Sequence, residues 1–332
     1  MEQSQLLSQS SVINTHPIPQ AARFERLDAA DAVNLELRRK LWEGLLPVKV
    51  DLALNEINSS ETPRSLYIMA PRENYFFYIL NEVKWLFDSY RPTDKVDAYD
   101  EMWFEFNNTP LKWNVPIGVQ FDALVGIAMK QRDLPWCLTF HYRGFPEEQV
   151  LKLEGLNFFK FHFINALKES HSLRMGSAQE ILANMQKKDE TRMIDGLRKH
   201  NYENFWEINQ NLCDKHITEL KKYALRVFTN VHHTYVQPNI EILKPQDAQS
   251  QDSEEPVSQN PSSLTLGDVL LETFPRLFES VLNDSGEVEL AKKRNFEVIV
   301  QGVEADMNTP LYWLQLNMSY LDNFLYVCLH FL

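Results

Sequence analysis

The sequence predicts an α+β fold in three parts, two sheet-bearing domains flanking a helix-rich one. Strand and helix periodicities mix over residues 45–146 and again over 223–332, helical periodicity alone fills 147–222, and one six-residue string occurs once in each mixed part.

Taken in order, residues 1–24 are polar and low in complexity, the composition of a disordered tail. Residues 25–44 carry a helix signal, with Leu27, Val33, Leu35, Leu37 and Leu41 set among charges. Strict alternation through Val48-Lys49-Val50-Asp51-Leu52-Ala53-Leu54 predicts a half-buried strand, and Ser65–Ala70 a second. Asn74–Asp88 sets Tyr75, Phe76, Ile79, Leu80, Val83, Leu86 and Phe87 at the three-and-four spacing of an amphipathic helix. Met102–Phe106 is aromatic strand material, and Pro116 opens a short helix through Phe121 and Leu124, as proline at the first helical position allows. Trp136, Leu138, Phe140 and Tyr142 then share one face of a strand.

In the helix-rich part, Phe158–Leu173 reads as one helix, and Ser177-Ala178-Gln179-Glu180 is a capping box opening another that carries Ile181, Leu182 and Met185. Asn201–Leu220 adds Phe205, Trp206, Ile208 and Leu212. Beyond it, Tyr223–Thr229 and residues 232–243 read as strands, the second bent at Pro238. Residues 244–263, with three prolines and no aromatic side chain, predict a solvated, disordered loop. Leu266–Leu282 reads as a helix bent at Pro275, followed by strands at Phe296–Gln301 and Phe324–Phe331.

The repeated string is Asn108-Thr109-Pro110-Leu111-Lys112-Trp113, which recurs 200 positions later as Asn308-Thr309-Pro310-Leu311-Tyr312-Trp313. Each copy follows an apolar strand and precedes a last strand, ending in His141-Tyr142 and His330-Phe331. The two copies are expected at matching structural positions, with Pro fixing a turn while Leu and Trp seal one end of a small core. Two domains of strand-strand-helix-strand-short helix-strand order match the ubiquitin-like (β-grasp) roll.

Composition excludes several function classes. The chain has 332 residues, a net charge of −13 and ten glycines, no two closer than eight positions. The motifs G-x-G-x-x-G, G-x-x-x-x-G-K-[ST] and G-x-S-x-G all need glycines closer than that, to approach a phosphate or turn sharply. Cys137, Cys213 and Cys328 stand far apart, and only His232 and His233 are near neighbours. Zinc pairs, redox pairs and a disulfide framework are therefore not expected, nor any metal or cofactor. The negative charge repels nucleic acid and anionic lipid over the surface as a whole. No apolar run of about 18 residues is present, and the first 20 residues lack the basic start and apolar core of a signal peptide, so a cytoplasmic protein is expected.

Several strings together resemble the autophagy protein 5 family. They are Leu41-Trp42-Glu43-Gly44-Leu45-Leu46-Pro47, Ala70-Pro71-Arg72, Trp103-Phe104-Glu105-Phe106 and Thr109-Pro110-Leu111-Lys112-Trp113-Asn114-Val115-Pro116-Ile117-Gly118. Phe121-Asp122, Leu134-Pro135-Trp136-Cys137-Leu138-Thr139-Phe140-His141, Phe163-Ile164-Asn165-Ala166-Leu167-Lys168-Glu169 and Gln186-Lys187-Lys188-Asp189 extend the likeness. Phe205-Trp206, Thr309-Pro310-Leu311 and Asp322-Asn323-Phe324-Leu325 complete it over residues 41–331. The first 40 residues and the loop 244–263 look like additions to the family core. The resemblance implies two ubiquitin-like domains around a helix-rich one. It also implies an isopeptide bond from one lysine to the C-terminal glycine of the ubiquitin-like autophagy protein 12. Through Ala166-Leu167-Lys168-Glu169 that lysine is Lys168. Further implied are a groove for a helix of the coiled-coil autophagy protein 16, and an E3-like role in moving the ubiquitin-like autophagy protein 8 onto phosphatidylethanolamine at the forming autophagosome. The conjugating enzyme and the membrane are then indirect partners, and nucleic acid is not one.

On a helical wheel Lys168 joins the stripe of Phe161, Ile164 and Leu167, so it reads either as a lysine snorkelling over apolar surface or as an amine placed where a docked partner would bury it. An ordinary lysine of pKa ~10.4 is only about one part in a thousand neutral at pH 7, and apolar surroundings favour the reactive neutral form. Cys137 with His141 and Cys328 with His330 pose a thiol-enzyme reading against one of equivalent, inert sheet positions, and Cys213 reads as core. The aromatic stretch Asn74–Asp88 is core material, and Trp85 and Trp206 are candidates to line an interdomain groove. An unmodified adaptor that binds partners only through its grooves is the alternative to a conjugated scaffold. The last glycine is Gly302 and the final residues His330-Phe331-Leu332 sit in a predicted strand, so the chain is expected to accept a modifier rather than to be one.

Overall fold

The structure, a computed structural model, describes residues 33–57, 61–92, 101–127, 134–153, 156–179, 185–214, 220–231, 234–242, 264–282, 288–293 and 295–332. The expected disordered tail 1–24 and loop 244–263 lie outside the described residues, as does the upstream part of the first expected helix. That helix, α1, is described over Leu35–Trp42 and is capped by Asn34, whose side chain accepts from Leu37 N.

In the first sheet, β1 (Leu45–Leu52) pairs antiparallel with β2 (Leu66–Pro71) and parallel with β5 (Trp136–His141). β3 (Trp103–Phe106) pairs antiparallel with β5 and with the short β4 (Thr109–Pro110), giving the order β2-β1-β5-β3-β4. The alternation read in the sequence is the inward set Leu46, Val48, Val50 and Leu52, each at most 4% exposed. Across the inner face lies α2 (Leu80–Phe87), which buries Leu80, Val83 and Phe87. The single helix expected over 74–88 is broken, because Asn74 gives its side chain to Tyr75 N and to the Leu197 carbonyl instead of capping a helix. Tyr75 is extended, and a 3₁₀ turn over Phe76–Tyr78 precedes α2. Pro116 sits at the N-cap of α3 (Ile117–Val125), one position before the first helical residue.

The helical region holds α4 (Leu156–Met175), α5 (Lys187–Arg198) and α6 (Tyr202–Cys213). The helix expected to open at Ser177 falls mainly on residues 180–184, outside the described set. α5 is not foreseen by the periodicity, since its buried residues Met193, Ile194 and Leu197 are confined to its second half.

The second sheet repeats the first. β6 (Leu225–Thr229) lies parallel to β12 (Leu325–Phe331), which pairs antiparallel with β10 (Phe296–Val300). The short β7 (Tyr235–Val236) and β11 (Val303–Glu304) form the edges, in the order β7-β6-β12-β10-β11. Two helices accompany it, α7 (Leu266–Thr273) and α8 (Leu311–Asn317). The strand expected over 232–243 shrinks to β7, as Pro238 has no N–H to continue a ladder. The helix expected to run to Leu282 stops at Thr273, because Pro275 disfavours helical backbone at Phe274. Its second half is instead β8 (Phe278–Leu282), paired with β9 (Val288–Lys292).

The fold repeat is real, but the repeated string does not mark it. Asn107 and Asn108, both at positive φ, turn β3 into β4, and Gln301 and Gly302 do the same between β10 and β11, 194 positions later. Pro116 and Pro310, the N-caps of α3 and α8, are also 194 positions apart. The counterpart of Thr309-Pro310-Leu311 is therefore Val115-Pro116-Ile117, and the string is six residues out of step with the structure. Trp113 is 2% exposed inside the first core, whereas Trp313 is 37% exposed.

The three parts interlock. α3 packs on its own domain and also covers the outer face of the second sheet, where Val119 and Ala123, with Val115 just before the helix, meet Phe228, Ile299, Tyr326 and Cys328. Gly126 ends α3 at φ +71, where a Cβ would collide with the His330 ring. The helical region shares one continuous core with the first domain, through Phe159, Phe163, Leu167 and Leu197. Trp42 of α1 stacks on His200 at 4.6 Å. Trp113→Ala is expected to cost about 3–5 kcal/mol in urea unfolding, against less than about 1.5 kcal/mol for Trp313→Ala; equal costs would contradict the different environments described.

Candidate conjugation site on helix α4

α4 is a 20-residue helix whose buried side is made by Phe159, Phe163, Ile164, Leu167, Ser170, His171 and Arg174. Phe159 packs face to face with Phe77 at 5.2 Å and edge-on to Tyr75 at 5.0 Å, which fixes the helix against the first domain. Lys168 lies at the margin of that buried side and is half-buried. Its helical neighbours at three, four and seven residues are Asn165, Ile164 and Phe161, of which Ile164 is buried and Phe161 is 61% exposed. Phe161 therefore lies outside the buried stripe to which the wheel assigned it.

The residues on either side of Lys168 are tied down. Leu167 is fully buried. Glu169 accepts from Arg226 at 2.9 Å and from Gln237 at 3.2 Å. Ser170 Oγ donates to the Asp322 carbonyl at 2.7 Å. Among the described residues the Lys168 ammonium has no ion-pair partner, whereas Lys160, two turns earlier, is held by Glu190 at 2.6 Å.

Asp322 is a centre that sequence reasoning did not single out, although Asp322-Asn323-Phe324-Leu325 was visible as a string. It is 1% exposed, and its Oδ2 accepts from Tyr326 at 2.6 Å and from Tyr75 at 3.4 Å. Arg226 donates to the Tyr326 hydroxyl at 3.2 Å and stacks on Phe324 at 3.5 Å. Burial pushes the Asp322 carboxyl up, opposed by Arg226 and the Tyr326 hydroxyl. Asn323, at φ +64, exchanges side-chain hydrogen bonds with Asn209 of α6 at 3.0 and 3.1 Å.

A cavity of about 20 Å³ of mixed polar and apolar lining lies beside this joint, its walls including Arg38, Glu73, Arg174, Trp206, Asp214 and Asn323. Arg38 of α1 forms two 2.9 Å bonds to Asp214 and lies 4.3 Å over the Trp206 ring. Trp206 is thus a covered wall, while Trp85 is 84% exposed on α2, so the two do not line one groove. Gln301 donates to Glu73 Oε1 at 3.1 Å, and Oε2 has no hydrogen-bond partner among the described residues. Burial drives the Glu73 carboxyl up to about 8.

No cysteine forms a hydrogen-bonded pair with a histidine among the described residues. Cys137 is exposed and donates to the Pro135 carbonyl at 3.3 Å. His141, two strand pleats away, is held by Glu56 at 2.7 Å and stacked on Trp103 at 4.0 Å. Its Nε2 lies 3.3 Å from Glu105, too poorly aligned for a hydrogen bond. Cys328 is buried, and burial raises its thiol well above the ordinary range. Burial takes Cys213 to about 12. By register His141 and His330 are equivalent, but Cys328 corresponds to Thr139 rather than to Cys137. Among the described residues no cluster of three or more His, Cys, Asp or Glu could hold a metal ion, and no helix is long and apolar enough to cross a membrane.

Two β-grasp domains clasping a helical region define a tandem ubiquitin-like protein. The profile described as "Autophagy protein ATG5, UblA domain" matches residues 41–142, the "alpha-helical bundle region" of the same family 156–215, and its "UblB domain" 222–329. The chain belongs to the autophagy protein 5 family. Autophagy protein 5 of Drosophila melanogaster is 27% identical over 88% of this chain and 96% of its own length. That of Dictyostelium discoideum is 22% identical over 89% and 94%. A crystal structure of Kluyveromyces marxianus Atg5, 20% identical, superposes with a TM-score of 0.68 over 89% of this chain and 100% of that one, a likeness of fold.

Glu73 supplies a pH test of the joint. Its folded value of about 8 exceeds the ordinary ~4.3, so its contribution is fully present below the unfolded value and is lost as pH rises through about 8. Glu73→Gln removes that loss. Relative to wild type, its stability in urea unfolding is expected to gain up to about 1.4 kcal/mol per pH unit between about pH 4.5 and 8. A difference that does not change with pH would mean that Glu73 is already ionised in the fold.

Proposed function

We propose that the chain is a non-catalytic acceptor and scaffold in autophagosome formation, and that Lys168 takes the ubiquitin-like autophagy protein 12 through an isopeptide bond. The reading is supported by family membership together with one observation: Lys168 has no ion-pair partner among the described residues while Leu167, Glu169 and Ser170 beside it are fixed. In the reaction, the neutral amine attacks the modifier's C-terminal glycine carbonyl, carried as a thioester on a conjugating enzyme. The C–N bond forms, the C–S bond breaks, and the thiol leaves with the proton the amine gives up.

In this reading the chain also binds a helix of the coiled-coil autophagy protein 16, and the assembly acts as an E3-like factor for transfer of the ubiquitin-like autophagy protein 8 to phosphatidylethanolamine. The modifier recruits the conjugating enzyme, and the chain holds it near the lipid, raising effective concentration rather than making bonds itself. A net charge of −13 opposes direct adhesion to anionic lipid, so a cytoplasmic protein would reach the forming autophagosome as a peripheral component, mainly through its partner.

Co-expression of the chain with the modifier and its conjugating enzymes tests the acceptor. Wild type is expected to acquire a slower band that survives boiling and reductant, and Lys168→Arg to lose it entirely. Because arginine keeps the charge and an apolar stem, its unfolding midpoint should match wild type within about 0.5 kcal/mol. A slower band in both proteins would assign the bond to another lysine, and none in either would favour the unmodified adaptor.

A further inference from the structure

The open edge of the first sheet is longer than the others. β2 spans six residues with no strand on its far side among the described residues, whereas the edges β4, β7 and β11 have two residues each. The phase of its backbone can be worked out. Arg72 N–H donates to the Gly44 carbonyl at 2.9 Å, so position 72 faces 44 in a hydrogen-bonded pair. Bonded and non-bonded pairs alternate along an antiparallel ladder, so Ala70/Leu46, Ile68/Val48 and Leu66/Val50 are bonded as well. Pro47, which has no N–H, falls opposite Met69 in a non-bonded pair, as this phase requires. The N–H and C=O groups of Tyr67 and Met69 therefore point away from β1, out of the sheet edge.

The same two residues carry the edge's exposed side chains, Tyr67 at 66% and Met69 at 52%. Leu66–Pro71 contains no charge, and none of the usual edge-blunting devices precedes its terminal proline. The equivalent outer face of the second sheet is covered by α3, but among the described residues no helix covers the outer face here.

We propose that β2 is a self-pairing edge, on which a second copy of this chain adds its own β2 antiparallel about a twofold axis at Ile68, joining the two five-stranded sheets. The occupant follows from self-complementarity. With the axis at Ile68, Tyr67 stands opposite Met69 of the second copy and Met69 opposite its Tyr67, and both pairs are in the bonded phase. Each places a thioether against an aromatic ring, a favourable contact. A foreign strand would find the same backbone groups, but only a second copy is bound to supply that pair twice. Two chains of charge −13 repel, so association is weak and strengthens as salt screens the repulsion.

Sedimentation equilibrium on the full chain, over a wide micromolar range at low and high salt, tests this. The average mass is expected to rise from monomer toward dimer with concentration, and more steeply at high salt. Met69→Lys should hold the chain monomeric. Met69→Pro, which removes an outward N–H without touching the β1 ladder, should weaken the dimer at least tenfold. Register is read by cross-linking in a Cys137→Ser background. Ile68→Cys meets its own copy across the axis in a non-bonded pair, about 4.5 Å between Cα atoms, and should form a disulfide dimer. Tyr67→Cys meets its copy only diagonally, about 7–8 Å away, and should not. Circular dichroism and thermal melts identify any variant that fails to fold. A wild-type chain that stays monomeric under all conditions, or a Tyr67→Cys variant that links as readily as Ile68→Cys, overturns the proposal.

Discussion

The arrangement turns on one buried carboxylate. Asp322 is held by a hydroxyl from the first domain, Tyr75, and one from the second, Tyr326, while its carbonyl receives Ser170 from the helical region. A carboxyl so deeply buried is tolerated only where hydrogen bonds and nearby positive charge replace water, and Arg226 supplies that charge through Tyr326. Because the same arginine continues to Glu169, the joint reaches both residues that follow Lys168 on α4. The setting of the candidate acceptor is therefore determined some distance away, by a turn whose other residue, Asn323, adopts a left-handed backbone and locks onto Asn209.

One fold used twice has been put to two different uses. In the second β-grasp domain the outer sheet face is apolar, with Phe228, Ile299, Tyr326 and Cys328, and is closed by α3. In the first, the corresponding face carries Lys49, Asp51, Cys137 and Thr139 beside the exposed apolar Leu45, Tyr67 and Met69. The difference is written in the strands. β12 is buried at six consecutive positions, as a strand covered on both faces must be, whereas β1 alternates. α3 can serve the second domain because it is almost wholly buried, closing its own core with Ile117 and Phe121 and its neighbour's with Val119 and Ala123.

The α+β class and the placing of the helical region between two sheet domains were legible because they rest on periodicity, which burial enforces directly: the alternation at Val48–Leu52 and the spacing of Phe159, Phe163 and Leu167 are core positions. The hairpin β8–β9 was not legible, since an apolar run after a helix suits either structure and only the backbone at Phe274 decides. The repeated string lies six residues off the structural match, although the two domains do share one fold. What repeats physically is a two-residue turn, a fixed spacing and a proline before a helix, and Asn107-Asn108 and Gln301-Gly302 share no residue although they make the same turn. The joint at Asp322 was illegible for another reason: a network drawn from residues 75, 170, 226, 322 and 326 has no spacing that a single sequence can display.

Lys168 illustrates the same limit from the other side. Its half-buried stem fits a lysine that merely covers apolar surface, and nothing in its spacing separates that role from an acceptor's. What distinguishes the site is a contrast along the helix. Lys160 is neutralised by Glu190, and Glu169 is drawn away from its neighbour Lys168 by Arg226 and Gln237, so the carboxylate nearest in sequence is already satisfied elsewhere. An amine that must reach a bulky thioester gains from such an arrangement. In the proposed acceptor role, a backbone already held at Leu167, Glu169 and Ser170 would lower the entropy lost in forming the reactive geometry.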